Sequence, residues 1–444
     1  MYISRNVDIE LLNWKKTDKR KPLLIRGARQ IGKTSAIREL GKQFTHFVEV
    51  NFDENPEFSQ LFEKSLSPDE ICQQIAVIKN IPIIENETLF FLDEIQASPK
   101  AIGVLRYFYE KKPNLHVIAA GSLLEFTLSE IPSFGVGRIR SVFMYPFSFE
   151  EFLIALGESS LLESISNASP SHPLPQLIHQ KAIGILKKFL VIGGMPEAVT
   201  TYIENNDFLA VQKILDDLIV SYQTDFSKYK QKVPSLRIQE VFRTVVQQVG
   251  NKFSYSYSNA TLNNIQIKEA LELLQMSGLV YSITHSSCNG IPIGAEINPK
   301  KRKFILLDTG IYQRMLGLDL AAIFIEDDTE LINKGAIAEL FVGLELMKNS
   351  SESAIAALYY WHRESKNSHA EVDYTIQHGT AIIPIEVKSG TKGAMQSLYK
   401  FLEEKKTNFG IRTSLENFGI FDTIKIIPIY ALGIVMKNKL KKLN

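Results

Sequence analysis

Gly27, Gly32, Lys33 and Thr34 stand at the spacing G-x-x-x-x-G-K-[ST], in the run Gly27-Ala28-Arg29-Gln30-Ile31-Gly32-Lys33-Thr34. Glycines let successive backbone N–H groups converge on phosphate oxygens, the lysine reaches the β- and γ-phosphates, and the adjacent hydroxyl can ligate Mg²⁺. The run follows the apolar Leu23-Leu24-Ile25 and opens a helix-like stretch from Ser35 to Leu40, whose N-terminus adds partial positive charge at the same place. Gly27, Ala28, Arg29, Gln30, Ile31, Gly32, Lys33, Thr34 and Ser35 are therefore the candidate contacts to a nucleotide such as ATP. Arg29 is open to two readings, against phosphate or against a neighbouring element. A glycine-rich turn that matches by chance is the plain alternative for the whole run.

A second segment argues against chance. Leu89-Phe90-Phe91-Leu92 is an apolar strand pattern that ends in the carboxylates Asp93 and Glu94. At that position Asp93, with Thr34, is a candidate to hold Mg²⁺, and Glu94 is a candidate general base on the attacking water. Solvated loop charges are the alternative. Another strand pattern ends at Ala119-Ala120-Gly121-Ser122, where Ser122 either orients that water or caps the following helix. Arg138, in the loop Gly135-Val136-Gly137-Arg138, is a candidate to stabilise the transferring phosphoryl group, and a solvated arginine is the competing reading.

A separate acid cluster lies near the C-terminus. His369-Ala-Glu371-Val-Asp373-Tyr-Thr-Ile376 and Ile385-Glu386-Val-Lys388 read as two strands joined by a turn at Gln377-His-Gly379. Glu386 and Lys388, two residues apart, project from one face, and Asp373 on the neighbouring strand can converge with them. Two carboxylates can hold Mg²⁺ or Mn²⁺ with water in its shell, and a nearby lysine can position that water. A strand pair with charged ends is the alternative. Lys300-Lys-Arg-Lys303 and the tail Lys437-Asn-Lys-Leu-Lys-Lys442 are basic runs that either meet nucleic-acid phosphates or form solvated faces.

The elements that must carry these residues fall into segments. Pro22–Arg26, His46–Val50, Leu89–Leu92, His116–Ala119 and Ser141–Met144 are short apolar runs alternating with amphipathic stretches, as in a buried parallel sheet covered by helices. One such stretch sets Ile102, Leu105, Phe108 and Tyr109 on one side. Helical periodicity dominates from Phe149 to about residue 230. Two helices and a hairpin between 231 and about 290 resemble a winged helix. A helix with Ile337, Leu340, Phe341, Leu344 and Met347 on one face then precedes the strands of a second α/β segment. The expected division is 1–148, 149–230, 231–329 and 330–444. No internal repeat is present.

At 444 residues the length fits about three domains. With 45% hydrophobic and 22% charged residues, a disordered, collagen-like or disulfide-framework chain is excluded. Ile426–Met436, the longest apolar run, falls short of the ~20 residues a membrane span needs, so no membrane partner is expected. The first residues carry no export signal, and Cys72 and Cys288 stand alone, which fits a reducing cytoplasm. Fifty Lys+Arg against 49 Asp+Glu mean that any nucleic-acid contact needs a local basic patch.

Gly27–Thr34, Phe91-Leu-Asp93-Glu94-Ile-Gln96, Ala120-Gly-Ser122, Gly137-Arg138, Met144-Tyr-Pro-Phe-Ser-Phe-Glu-Glu-Phe152, Gly193-Gly-Met-Pro-Glu-Ala198 and Ile385-Glu-Val-Lys-Ser-Gly390 together resemble the predicted prokaryotic AAA-type ATPases that carry a C-terminal domain of unknown function. The resemblance runs over essentially the whole chain. It implies an α/β fold with an ASCE-type P-loop ATPase core, a helical lid, a winged-helix-like middle and a nuclease-like C-terminal domain. The Asp373…Glu386-x-Lys388 arrangement is similar to PD-(D/E)xK nucleases of restriction-endonuclease-like fold. That similarity implies Glu339, on the upstream helix, as a further metal ligand or orienter beside Asp373 and Glu386. The function expected is ATP hydrolysis with Mg²⁺ that controls a module acting on DNA or RNA. The alternatives are an ATP-dependent switch with a non-catalytic docking domain, and a DNA-binding regulator built on the middle segment. Because many AAA-type enzymes complete a site with a neighbour's arginine, a homo-oligomer is among the expected assemblies, and whether Arg138 acts in its own subunit stays open.

Overall fold

The computed structural model describes residues 2–64, 66–131, 137–229, 233–257, 262–319, 335–350, 354, 356–364, 370–390 and 393–437. Gly135 and Val136 of the Arg138 loop, His369, the segment boundaries near 230 and 330, and the basic tail beyond Lys437 lie outside these residues. The chain forms two compact units. The first comprises Met1–Pro146 with the short segments Met276–Gly278 and Ser351–Ile355, and the second comprises the rest.

The first unit alternates helix and strand: α1 (Asn6–Lys15), β1 (Leu23–Arg26), α2 (Lys33–Gly41), β2 (His46–Asn51), α3 (Ser59–Lys64) and α4 (Pro68–Lys79). Then follow β3 (Thr88–Asp93), α5 (Pro99–Lys111), β4 (His116–Ala120), α6 (Leu124–Glu130) and β5 (Arg140–Phe143). All six residues of β3 are buried, as a continuous apolar run requires of a strand covered on both faces. Each of its Leu and Phe side chains contributes about 2 kcal/mol by leaving water. In α5 Ile102, Leu105 and Phe108 of the expected stripe are buried, joined by Ala101 and Val104, whereas Tyr109 is half-buried. The five strands are parallel in the order β2-β3-β4-β1-β5. Leu92 lies beside Ala119, and Ile25 beside Ala120, so the carboxyl ends of β3, β4 and β1 come out side by side.

The second unit opens with helices α7 (Phe149–Ala155), α8 (Ser159–Asn167), α9 (Gln176–Ile192), α10 (Pro196–Asn205) and α11 (Phe208–Tyr229). It continues with α12 (Ser235–Gln248), α13 (Asn264–Met276), β6 (Val280–Ser286), β7 (Ile297–Leu306) and α14 (Thr309–Met315). Last come α15 (Gly335–Lys348), β8 (Leu358–His362), β9 (Glu371–His378), β10 (Ala381–Val387), α16 (Gln396–Lys405), β11 (Gly410–Ser414), β12 (Gly419–Phe421), β13 (Ile424–Pro428) and α17 (Leu432–Lys437). Phe149, Phe152, Phe189 and Phe341 pack in edge-to-face and tilted ring pairs at 5.0–6.3 Å and tie α7 and α9 to α15. Asp308 caps α14 through the N–H of Ile311 and reaches back to accept the N–H of Gly194 at 2.5 Å, which fixes the Gly193-Gly194 bend between α9 and α10.

The β6–β7 hairpin follows the helices α12 and α13, and its second strand lies beyond residue 290. β6 pairs with β8 in parallel, and the sheet runs β12-β13-β11-β10-β9-β8-β6-β7. Segments 231–329 and 330–444 therefore share one sheet. Alternation along a chain identifies a strand, but the partner on its open edge is settled by hydrophobic packing far away in sequence.

Candidate functional site

The first candidate site lies where β1, β3 and β4 end. Gly27 has φ 140°, and a Cβ there would stand 2.3 Å from the Met144 carbonyl oxygen, so only glycine lets the loop leave β1 against the end of β5. Ile31 is fully buried and Ala28 nearly so; they anchor the loop from beneath, while Gln30 and Ser35 are exposed. Arg5, ahead of α1, donates to the carbonyls of Ile31 (3.1 Å) and Tyr145 (2.7 Å), and braces the loop from the N-terminal side.

Lys33 is buried, and its Nζ donates to the Gly27 and Ala28 carbonyls at 2.9 and 2.6 Å. Thr34 Oγ1 donates to Asp93 Oδ2 at 3.0 Å, so the two expected Mg²⁺ contacts are already paired. Burial pushes the Lys33 ammonium down to about 8 against the pull of Glu94 and Asp93. Burial likewise pushes the Asp93 carboxyl up to about 6. Each charge thus sits where its charged form lacks solvation, and phosphate oxygens and a divalent cation are what would offset this. The residues present fit a magnesium nucleotide.

Glu94 adopts a left-handed backbone, φ 48°, just past β3. Its Oε2 accepts from Gln96 Nε2 at 2.5 Å and from Ser122 Oγ at 3.1 Å. Gln96 comes this close because residue 121 is glycine; a Cβ there would stand 2.1 Å from Gln96 Oε1. Ser122 does not cap the next helix: α6 starts with Leu123 at its cap, with no side-chain cap bond. Its hydroxyl points to the Glu94 carboxylate instead.

Arg138 is not brought to this loop. It pairs with Glu110 near the end of α5. Arg140, two residues on, is in register with Leu23 at the start of β1, whereas the loop leaves from Arg26 at its end. Within one copy of the chain, Arg138 and the loop are at opposite ends of the sheet. Arg29 lies close enough to Lys33 to disfavour its charge.

In the second unit the structure brings Asp373, Glu386 and Lys388 together. Asp373 Oδ2 accepts the Val387 N–H at 2.8 Å, and Lys388 Nζ pairs with Glu386 Oε1 at 2.6 Å. Glu386 is buried, with no hydrogen-bond partner on Oε2. Burial, with Asp373 nearby, pushes its carboxyl up to about 7. The Glu339 carboxyl is pushed up to about 8 by burial and Asp373. Lys303, within the basic run, does not face solvent. Its side chain is 2% exposed, and Nζ lies 2.6 Å from Glu371, 3.4 Å from Glu339 and 3.9 Å from Asp373. Burial alone would lower its pKa, yet these carboxylates hold it above the usual lysine value. Among the described residues no group of three or more His, Cys, Asp or Glu side chains is set to hold a metal ion. The expected metal set of Glu339, Asp373 and Glu386 is thus not assembled as a cage: an ammonium stands among the acids, and the residues do not fit a resident metal.

Arg5 and Gln96 had no assigned role in the sequence, and Lys303 was read only as part of the basic run Lys300–Lys303, against phosphates or solvent. Gln96 stands two residues after Glu94 and Lys303 opens an apolar run, signals visible along the chain, whereas nothing local marks Arg5.

Among the described residues no helix is long and apolar enough to cross a membrane. The chain is similar to the Walker-type ATPase PABY2304 of Pyrococcus abyssi, with 15% identity over 71% of this chain and 96% of that one, TM-score 0.44. It is also similar to the Aeropyrum pernix ORC1 protein in complex with DNA, with 14% identity over 72% of this chain and 94% of that one, TM-score 0.29. Comparison with curated proteins gives no match. Residues 183–322 and 334–432 match two families, each described as a domain of unknown function, DUF8612 and DUF4143. Residues 19–153, which carry the parallel five-stranded sheet, match the family described as AAA domain, and this match supports an AAA-type ATPase in this part of the chain.

Proposed function

We propose that the protein hydrolyses ATP with Mg²⁺ and that this cycle controls a nucleic-acid-directed module in the C-terminal half. The observation that carries the ATPase reading is the joint placement of Lys33, Thr34–Asp93 and Glu94–Ser122 at one sheet end. Lys33 would leave the Gly27 and Ala28 carbonyls to meet the β- and γ-phosphates, and the loop N–H groups from Gly27 to Ser35 would receive the remaining oxygens. Thr34 and Asp93 would hold Mg²⁺, which supplies charge neutralisation on the phosphates. Glu94 would take the proton of the attacking water, with Ser122 orienting that water. Arg138 would serve a neighbouring copy, because its own loop is at the far end of the sheet, which makes a homo-oligomer part of the reading.

Under this proposal 1–148 is the ATPase core, 149–230 a lid, and 231–329 with 330–444 the module. For that module the docking form is favoured over a metal-dependent nuclease of PD-(D/E)xK type, because Lys303 stands among the acids that would hold the metal. Steady-state ATPase rates test the first part. Lys33→Ala and Glu94→Gln should each lower kcat by about 100-fold or more, and only Glu94→Gln should keep nucleotide binding. Equal rates in all three proteins would refute hydrolysis at this site. Incubation with DNA and RNA in Mg²⁺ or Mn²⁺, with and without ATP, tests the second part. Cleavage lost in Lys388→Ala would restore the nuclease form, with Asp373, Glu386 and Lys388 as its catalytic groups.

A further inference from the structure

Lys303 comes from β7, Glu339 from α15, and Glu371 and Asp373 from β9. Oxygens of three carboxylates on two elements surround one ammonium at 2.6, 3.4 and 3.9 Å, and the lysine is almost wholly out of water. Lys252, whose backbone bridges to that of Lys303, adds a second cation 2.8 Å from the other oxygen of Glu371. The Lys303 ammonium also lies 5.4 Å from the centre of the Tyr360 ring. Carboxylates largely withdrawn from water, here 14–25% exposed, need a positive charge beside them to keep their own. A divalent ion and a lysine are the two chemistries that can meet this demand, and they exclude each other at one point, because a dication beside a fixed ammonium is repelled at short range.

We infer that Lys303 is the resident cation of this acid cluster, standing where a divalent metal would otherwise stand, so that the cluster is metal-free by construction and removing the ammonium converts it into a divalent-cation site. The lysine is a positioning residue. It holds Glu339, Glu371 and Asp373 together across the sheet and links β7 to β9, which are separated by β6 and β8 in the strand order. This inference does not depend on ATP hydrolysis, and it concerns occupancy of the cluster rather than any reaction there.

The test uses the full chain in an Asp93→Asn background, so that the first site does not contribute, with terbium(III) as the hard-cation probe. Tyr360 would sensitise its emission. The protein with Lys303 intact should give no emission that depends on Asp373. Lys303→Met should gain at least about tenfold in sensitised emission, saturating at one ion per chain and competed by Ca²⁺, and Asp373→Asn should abolish the gain. Asp373-dependent emission with Lys303 intact, or none in a folded Lys303→Met protein, overturns the inference. Should Lys303→Met alone fail to fold, the double variant Lys303→Met/Glu371→Gln or added Ca²⁺ should restore folding, since either removes the unmatched negative charge. A folding defect relieved by neither also overturns it.

Discussion

Arg138 is paired with Glu110 at the end of the parallel sheet opposite the loop that carries Lys33. A strand of four residues separates the two ends, so no rotamer of Arg138 reaches its own loop. If the arginine acts on phosphate, it does so in another copy. Arg138→Ala and Lys33→Ala should each be nearly inactive alone. Mixed in equal amounts, they should recover about a quarter of the wild-type ATPase rate, because one in four sites then joins an intact loop to an intact arginine. No recovery on mixing, with both variants assembling normally, would assign Arg138 to the Glu110 pair alone.

Gln96 and Ser122 compete for the same oxygen of Glu94, at 2.5 and 3.1 Å. A carboxylate oxygen already held by two donors has less lone-pair capacity left for the attacking water than one held by a single donor. Gln96→Ala should therefore raise basal hydrolysis several-fold with nucleotide affinity unchanged, whereas Ser122→Ala should lower kcat by about tenfold through loss of water orientation. A fall in Gln96→Ala as large as that in Ser122→Ala would mean that Gln96 aims the base rather than restrains it.

Asp308 is fully buried and accepts N–H groups from Gly194 and Ile311. Its removal leaves buried donors unmatched at the α9–α10 bend and at the cap of α14. Asp308→Ala should cost about 2–4 kcal/mol of stability, seen as a lower urea midpoint at unchanged slope. Asp308→Asn keeps an acceptor and should cost less than half of that. Equal losses in the two variants would point to the charge rather than the hydrogen bonds.

Glu345 on α15 is buried, accepts the Phe149 N–H at 3.0 Å, and faces Lys348, Glu150 and Glu151. Burial pushes its carboxyl from 4.5 up to about 7. The folded state therefore holds the proton more tightly than the unfolded chain. Stability is lost as pH rises through the window from 4.5 to about 7, by about 3 kcal/mol when the group is fully ionised. Glu345→Gln, which cannot ionise, should raise the urea midpoint at pH 8 and lose that advantage near pH 5. A midpoint difference independent of pH would show that Glu345 does not titrate in this window.

The residues of the first candidate site and the elements that carry them are legible along the chain. Gly27–Thr34 between an apolar strand and a helix, and Asp93-Glu94 after Leu89–Leu92, are short-range patterns, because a phosphate loop is built from consecutive backbone N–H groups and a strand end from consecutive residues. The β9–β10 turn and the convergence of Asp373, Glu386 and Lys388 were legible for the same reason: they lie on adjacent strands joined by one turn. Matters that rest on distant pairings were settled by the folded chain. It placed Arg138 at the far end of the sheet, turned Ser122 to Glu94 instead of to a helix cap, joined the β6–β7 hairpin to β8, and buried Lys303 among Glu339, Glu371 and Asp373. Register, strand order and burial set those four outcomes, and each depends on the summed packing of residues far apart in the chain, to which a local pattern of charges and apolar side chains is blind.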